Sequence, residues 1–167
     1  MKTERLKGAV VSALLITSLI VPLLISAGTA RGQNIGWIRQ FGSSATDYAY
    51  CVAVDSSGNV YVAGKTDGVL PGQTSSYESD AFVRKYDGSG NEIWTKQFGP
   101  GSSDRANGVA VDRSGNIYIA GTTFAALPGQ TYLGGDGDDF VRKYDGSGNE
   151  IWTRQFGSST QDLPCSV

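Results

Sequence analysis

The sequence predicts an all-β protein assembled from repeated four-stranded antiparallel units. Three observations carry this: a motif that returns at spacings of 57 and 58 residues, short apolar runs rich in β-branched and aromatic residues, and Gly, Asn, Asp and Ser at matching places between those runs.

The motif Trp37-Ile38-Arg39-Gln40-Phe41-Gly42 returns as Trp94-Thr95-Lys96-Gln97-Phe98-Gly99 and as Trp152-Thr153-Arg154-Gln155-Phe156-Gly157. Between these marks Val52-Ala53-Val54-Asp55 matches Val109-Ala110-Val111-Asp112, and Gly58 to Gly64 matches Gly115 to Gly121. Leu70 to Thr74 recurs as Leu127 to Thr131, and Phe82 to Ile93 as Phe140 to Ile151. The one-residue slip falls in the loop between these last two blocks.

In the first copy the runs place strands near 48–55, 59–65, 80–86 and 91–98. Ser56-Ser57-Gly58-Asn59 and Asp87-Gly88-Ser89-Gly90-Asn91 join them as tight hairpins, because Gly and Asn accept the positive φ such turns need. Each unit is apolar on both faces: Trp94 and Phe98 point one way and Ile93 the other, while Val52 and Val54 oppose Ala53. Such a sheet must be covered twice. Stacking the units radially as blades of a β-propeller achieves that, whereas a β-sandwich would show a polar outer face on every strand.

The count gives two complete blades plus partial strands at both ends, an incomplete propeller. Residues 31–47 are a linker and an orphan outer strand, 48–104 the first blade repeat, 105–161 the second, and 162–167 the truncated start of a third, where Asp162 matches Asp47 and Asp104. Propellers close with about four to eight blades. The expectation is therefore a fragment of a larger propeller, a homo-oligomer closing a ring from two-blade chains, or a short open array.

Residues 1–30 read as an N-terminal hydrophobic signal helix. Lys2, Arg5 and Lys7 form a basic head, Ala9 to Ala27 carries no charge, and Ser26 to Ala30 is a small-residue exit. Cleavage after Ala30 would make this a signal peptide; uncleaved, residues 9–27 would be a membrane anchor. The chain is then secreted or held at the cell surface. Without that segment 11 basic side chains face 15 acidic ones, so there is no electrostatic footprint for nucleic acid. Cys51 and Cys165 occupy non-equivalent places and read as incidental small residues rather than a disulfide.

The Trp-x-x-Gln-Phe-Gly blocks, the run from Gly108 to Gly121 and the run from Asp80 to Gly90 resemble the bacterial and archaeal seven-bladed β-propeller (SBBP) repeat. The likeness spans residues 36–162. The stretch from Val54-Asp55 through Gly58-Asn59 to Tyr61-Val62 is more weakly similar to NHL-type propellers. The resemblance implies a surface or secreted propeller, and it supplies no catalytic residue to carry over.

The chain has no His, which excludes a Ser-His-Asp triad, a Cys-His pair and His-ligated zinc. No nucleophile elbow, Walker loop or dinucleotide fingerprint occurs. Asp87 to Asn91 and Asp145 to Asn149 look like the first half of a calcium loop, but the distal Glu is missing and a hairpin turn explains them. Asp136, Asp138 and Asp139 in a Gly-rich loop are the better calcium candidates, set against a plainly solvated loop.

Trp37, Trp94 and Trp152, with Phe41, Phe98 and Phe156, read as packing between blades. The same rings exposed in a groove would suit a sugar. Loops 65–80 and 122–138 differ most between the copies, and Tyr77, Glu78, Asp80, Tyr132, Asp136 and Asp138 are their candidate ligand-binding residues. The reading that results is a non-enzymatic exported binding or scaffold module whose partner is a protein or glycan. A carbohydrate-binding propeller built from several chains is the alternative.

Overall fold

The computed structural model describes residues 36–75 and 78–159. The signal segment 1–30, Tyr77, Asp162, Cys165 and the truncated repeat 162–167 lie outside the described residues.

Eight strands form two four-stranded sheets: β1 (Asp47–Val54), β2 (Val60–Thr66), β3 (Asp80–Tyr86) and β4 (Glu92–Phe98) in the first, β5 (Asp104–Val111), β6 (Ile117–Thr123), β7 (Asp138–Tyr144) and β8 (Glu150–Phe156) in the second. Within each sheet the strands lie in chain order, every neighbour antiparallel. The strands predicted in the first copy lie within one residue of those observed. Among the described residues there is no helix.

Local chemistry fixes the hairpins. Asp55 Oδ1 accepts the amides of Ser57 and Asn59 at 2.9 Å each, and its Oδ2 accepts the Asn59 side-chain amide and the Tyr61 hydroxyl. Gly58 stands at φ 81, where a Cβ would be strained. Asp87, Asp112 and Asp145 organise the other three turns in the same way. Within the sheets, the Ala-Gly step of β2 and β6 has a steric cause. A side chain on Gly64 or Gly121 would collide with the carbonyl of Tyr48 or Arg105, beside a bulge in β1 or β5.

The two sheets meet through different faces. The first contributes Tyr61, Ala63, Ala81 and Val83, all fully buried; the second contributes Val109, Ile117, Ile119, Phe140 and Tyr144. A two-sheet sandwich of identical repeats would close on itself. Here unlike faces meet, so the same contact can be repeated at either end, as blades require. Trp94 lies between Tyr61 and Tyr144, and Phe98 meets Phe140 edge to face at 5.8 Å. Lys85 Nζ donates to Gly146 O at 3.0 Å, and the Asp104 amide donates to Ser79 O at 2.8 Å, tying opposite ends of the junction.

Residues 36–42, expected as an orphan outer strand, form no strand. A strand needs a ladder partner, and among the described residues none pairs with this segment. The segment is held by side chains instead: Trp37 Nε1 donates to Gly88 O at 3.1 Å, Arg39 Nε donates to Gly90 O at 2.7 Å, and Phe41 meets Phe82 edge to face at 5.6 Å.

Candidate functional site

Up-and-down strand order gives each sheet two unlike ends. At one lie the four Asp-led turns, built alike; at the other lie the loops 67–79 and 124–137, joining β2 to β3 and β6 to β7. The ends stay aligned across the junction, since Ser79 to Asp104 is a loop-end bond and Lys85 to Gly146 a turn-end bond. The loop end is where the sequence varies.

Half of each loop is fixed by one glutamine. The Leu70 amide donates to Gln97 Oε1 at 2.9 Å, Gln97 Nε2 donates to Gly68 O and to Asp80 Oδ2, and the Gln97 amide donates to Gln73 Oε1. Gln155 repeats the set with Leu127, Ala125, Asp138 and Gln130. This explains why Leu-Pro-Gly-Gln and Gln-Phe-Gly recur together although they lie far apart in the chain. Leu70 and Leu127 are buried beneath the loops. The differences between the copies fall in the second halves, 75–79 and 132–137.

The candidate ligand residues divide accordingly. Glu78 and Asp136 are exposed in the second halves. Tyr132 is half-buried and donates to Gly135 O at 3.1 Å, closing its own loop. Asp80 and Asp138 are buried at the starts of β3 and β7, where they receive Gln97 and Gln155; Asp138 also accepts the Leu133 amide at 2.8 Å. The structure therefore puts Asp80 and Asp138 inside the scaffold rather than on its rim.

The calcium candidates are not gathered. Asp138 and Asp139 are consecutive in β7 and point to opposite faces, and Asp139 accepts the Thr122 hydroxyl at 3.3 Å. Among the described residues no three His, Cys, Asp or Glu side chains are grouped to hold a metal ion. In the turns, the side-chain amides of Asn91, Asn116 and Asn149, with nearby backbone amides, hold Asp87, Asp112 and Asp145 below the usual carboxylate range. Their oxygens are already engaged by protein donors.

Of the aromatic candidates, Trp94 and Phe98 sit between the two sheets, while Trp37 and Phe41 pack against Tyr86 and Phe82 of the first. Trp94 Nε1 donates to Gly146 O at 3.2 Å, as Trp37 does to Gly88 O. Trp152 meets Tyr118 edge to face, ring centroids 6.3 Å apart, on the outer face of the second sheet, where Phe156 is 52% exposed. A shallow cleft of about 390 Å³ runs between Lys96, Phe98 and Arg142, and one of about 550 Å³ between Phe41, Asp47 and Arg84. The two share the motif Gln-Phe and the facing Arg, but the first extends toward the turn Gly148–Glu150 and the second toward Ser43, Asp47 and Pro71.

Sequence reasoning missed Asp104. It is fully buried, and neither carboxyl oxygen has a hydrogen-bond partner. Burial pushes its pKa up to about 7, and the nearby Asp80 charge adds to this; the Thr123 side chain, which lies close but donates its hydroxyl to Ala125 O, and the Arg142 charge pull the other way without offsetting it. Its equivalence to Asp47 was legible, but burial comes from the preceding sheet, which strand patterning does not place.

A repeat family described as beta-propeller repeat, SBBP, matches residues 36–71 and 93–125. The chain is also 31% identical over 140 residues to the regulatory protein FlaEY of Caulobacter vibrioides, a match covering 75% of this chain and 15% of that protein. It is 32% identical over 121 residues to the uncharacterized WD repeat-containing protein L264 of Acanthamoeba polyphaga mimivirus, covering 65% of this chain and 8% of that protein. The chain thus spans a small part of the relatives it matches.

Proposed function

We propose, from the premise that this chain carries β-propeller repeats of the SBBP family, that it is an exported, non-enzymatic binding module that meets its partner at the loop end. The observation that carries this reading is the split within each loop. Gln97 and Gln155 hold the first halves in one geometry, and the sequence divergence falls in the stretches that follow, 75–79 and 132–137. Rigid scaffolds with variable loops concentrate contacts on the loops. The absence of His from the chain removes the commonest general base and supports a binding role. Relatives named for regulation and for WD repeats accord with a scaffold but assign no partner.

Export rests on the basic head, apolar run and small-residue exit of residues 1–30. Fractionation of cells expressing the full chain tests it, and retention in the cytoplasm would overturn it. Binding is tested with a photo-crosslinking residue placed at Asp136 on the loop end or at Ser114 on the turn end, in the presence of intact cells of the producing organism. Adducts at 136 in excess over 114 are expected. Equal labelling at both ends, or none at 136, would sink the loop-end reading.

A further inference from the structure

The two outer faces of this pair of sheets are copies of the two halves of the junction already built between them. On the outer face of the second sheet stand Ala110, Tyr118, Ala120, Val141, Lys143, Trp152 and Phe156. Their counterparts in the first sheet are Ala53, Tyr61, Ala63, Val83, Lys85, Trp94 and Phe98, identical at every position and committed to the junction. The outer face of the first sheet carries Val52, Val54, Phe82, Arg84 and Tyr86, matching Val109, Val111, Phe140, Arg142 and Tyr144 across that junction.

Part of this second face is already taken. Trp37 donates to Gly88 O as Trp94 does to Gly146 O, Arg84 lies 4.2 Å from the Phe41 ring centroid as Arg142 does from Phe98, and Phe41 meets both Phe82 and Tyr86 as Phe98 meets Phe140 and Tyr144. Residues 36–42 therefore sit where the outer strand of a preceding unit would sit. They cover only the β3 side: Val52 and Val54 remain 65% and 63% exposed.

We propose that a second copy of this chain docks head to tail on the first, its β8 displacing residues 36–42 from their seat. Trp152 and Lys143 of one copy then donate to Gly88 O of the next, and Phe156 lies over Arg84. Ala110, Tyr118, Ala120 and Val141 cover the exposed Val52 and Val54. Within one chain, residues 36–42 act as a tethered plug. A short tether gives a plug an effective concentration of roughly millimolar, so it holds the seat until the larger face of a neighbour outcompetes it. The contact is heterologous, so it propagates until a ring closes or the array ends. It is independent of the loop-end binding proposed above.

Weakening the plug should strengthen self-association. In the full purified chain, Trp37→Ala with Phe41→Ala is expected to lower the dissociation constant by about tenfold or more, read by sedimentation equilibrium. Adding Val52→Arg and Val54→Arg, or Phe156→Asp, should return the protein to monomer; all three positions are exposed, so folding is spared. Mixing those two blocked variants should give a one-to-one dimer and nothing larger, since one keeps only the donor face and the other only the seat. A plug-weakened chain that stays monomeric, or assembly indifferent to both blocks, would overturn the proposal. If the double alanine variant fails to fold, Trp37→Phe, which loses only the bond to Gly88, should shift the equilibrium in the same direction by a smaller factor. No shift there, in a folded protein, counts against the plug.

Discussion

Val109 and Val52 hold the same place in two copies of one sequence, yet Val109 is 6% exposed and Val52 65%. Tyr61 is fully buried while Tyr118 is only half-buried, and Phe98 lies in the junction while Phe156 is 52% exposed. The residues are the same and the strand pairing is the same. What differs is whether another sheet lies alongside. Each unit is therefore written for two neighbours, and its stability depends on interfaces as much as on its own ladder.

The largest test of that view is the tyrosine pair. Tyr61→Ala empties a filled place at the centre of the junction and should cost about 3–5 kcal/mol, whereas Tyr118→Ala should cost about 1 kcal/mol. Equal losses in urea denaturation would mean that the two sheets do not depend on their junction. Val109→Ala should follow at about 2 kcal/mol for the lost methyl groups and the residual cavity, with Val52→Ala within about 0.5 kcal/mol. If the head-to-tail assembly forms, the Val52 effect should grow with protein concentration, because assembly buries that side chain.

The turns and strands were legible because their causes are local: an Asp two and four residues before the amides it accepts, a Gly at positive φ, a period of two. The stacking was legible because apolar residues on both faces leave no other covering. The role of the motif glutamines was not. Gln97 reaches the Leu70 amide across 27 positions of sequence, and only the fold brings the two together. Tyr132 shows the same limit from the other side. It lies in the right loop, but its hydroxyl turns back onto Gly135 O, a detail that neither composition nor spacing carries. Asp138 differs again: as the first residue of β7, it has its carboxylate drawn under the loop to serve Leu133 and Gln155.

The smallest contrast lies between Asp47 and Asp104, which open β1 and β5. Among the described residues no sheet precedes Asp47, which accepts the Ser43 amide at 2.7 Å and its hydroxyl at 3.1 Å. Asp104 meets the first sheet instead and is buried with its carboxyl oxygens unsatisfied. Its folded pKa near 7 lies above the ordinary value of 3.8, so the folded state binds this proton more tightly than the unfolded chain. That stabilisation is fully present below about pH 4 and is lost as the pH rises through about 7. Asp104→Asn supplies an uncharged side chain of the same shape and should stabilise the fold by about 1 kcal/mol above neutrality, with little effect in acid. Asp47→Asn should do the reverse, costing about 0.5–1.5 kcal/mol through weakened hydrogen bonds. Melting temperatures of both variants across the acid-to-neutral range check the pair. A wild-type protein whose stability does not fall between about pH 4 and 7 would show that the junction admits water or a donor to Asp104, and that stacking two sheets does not seal it.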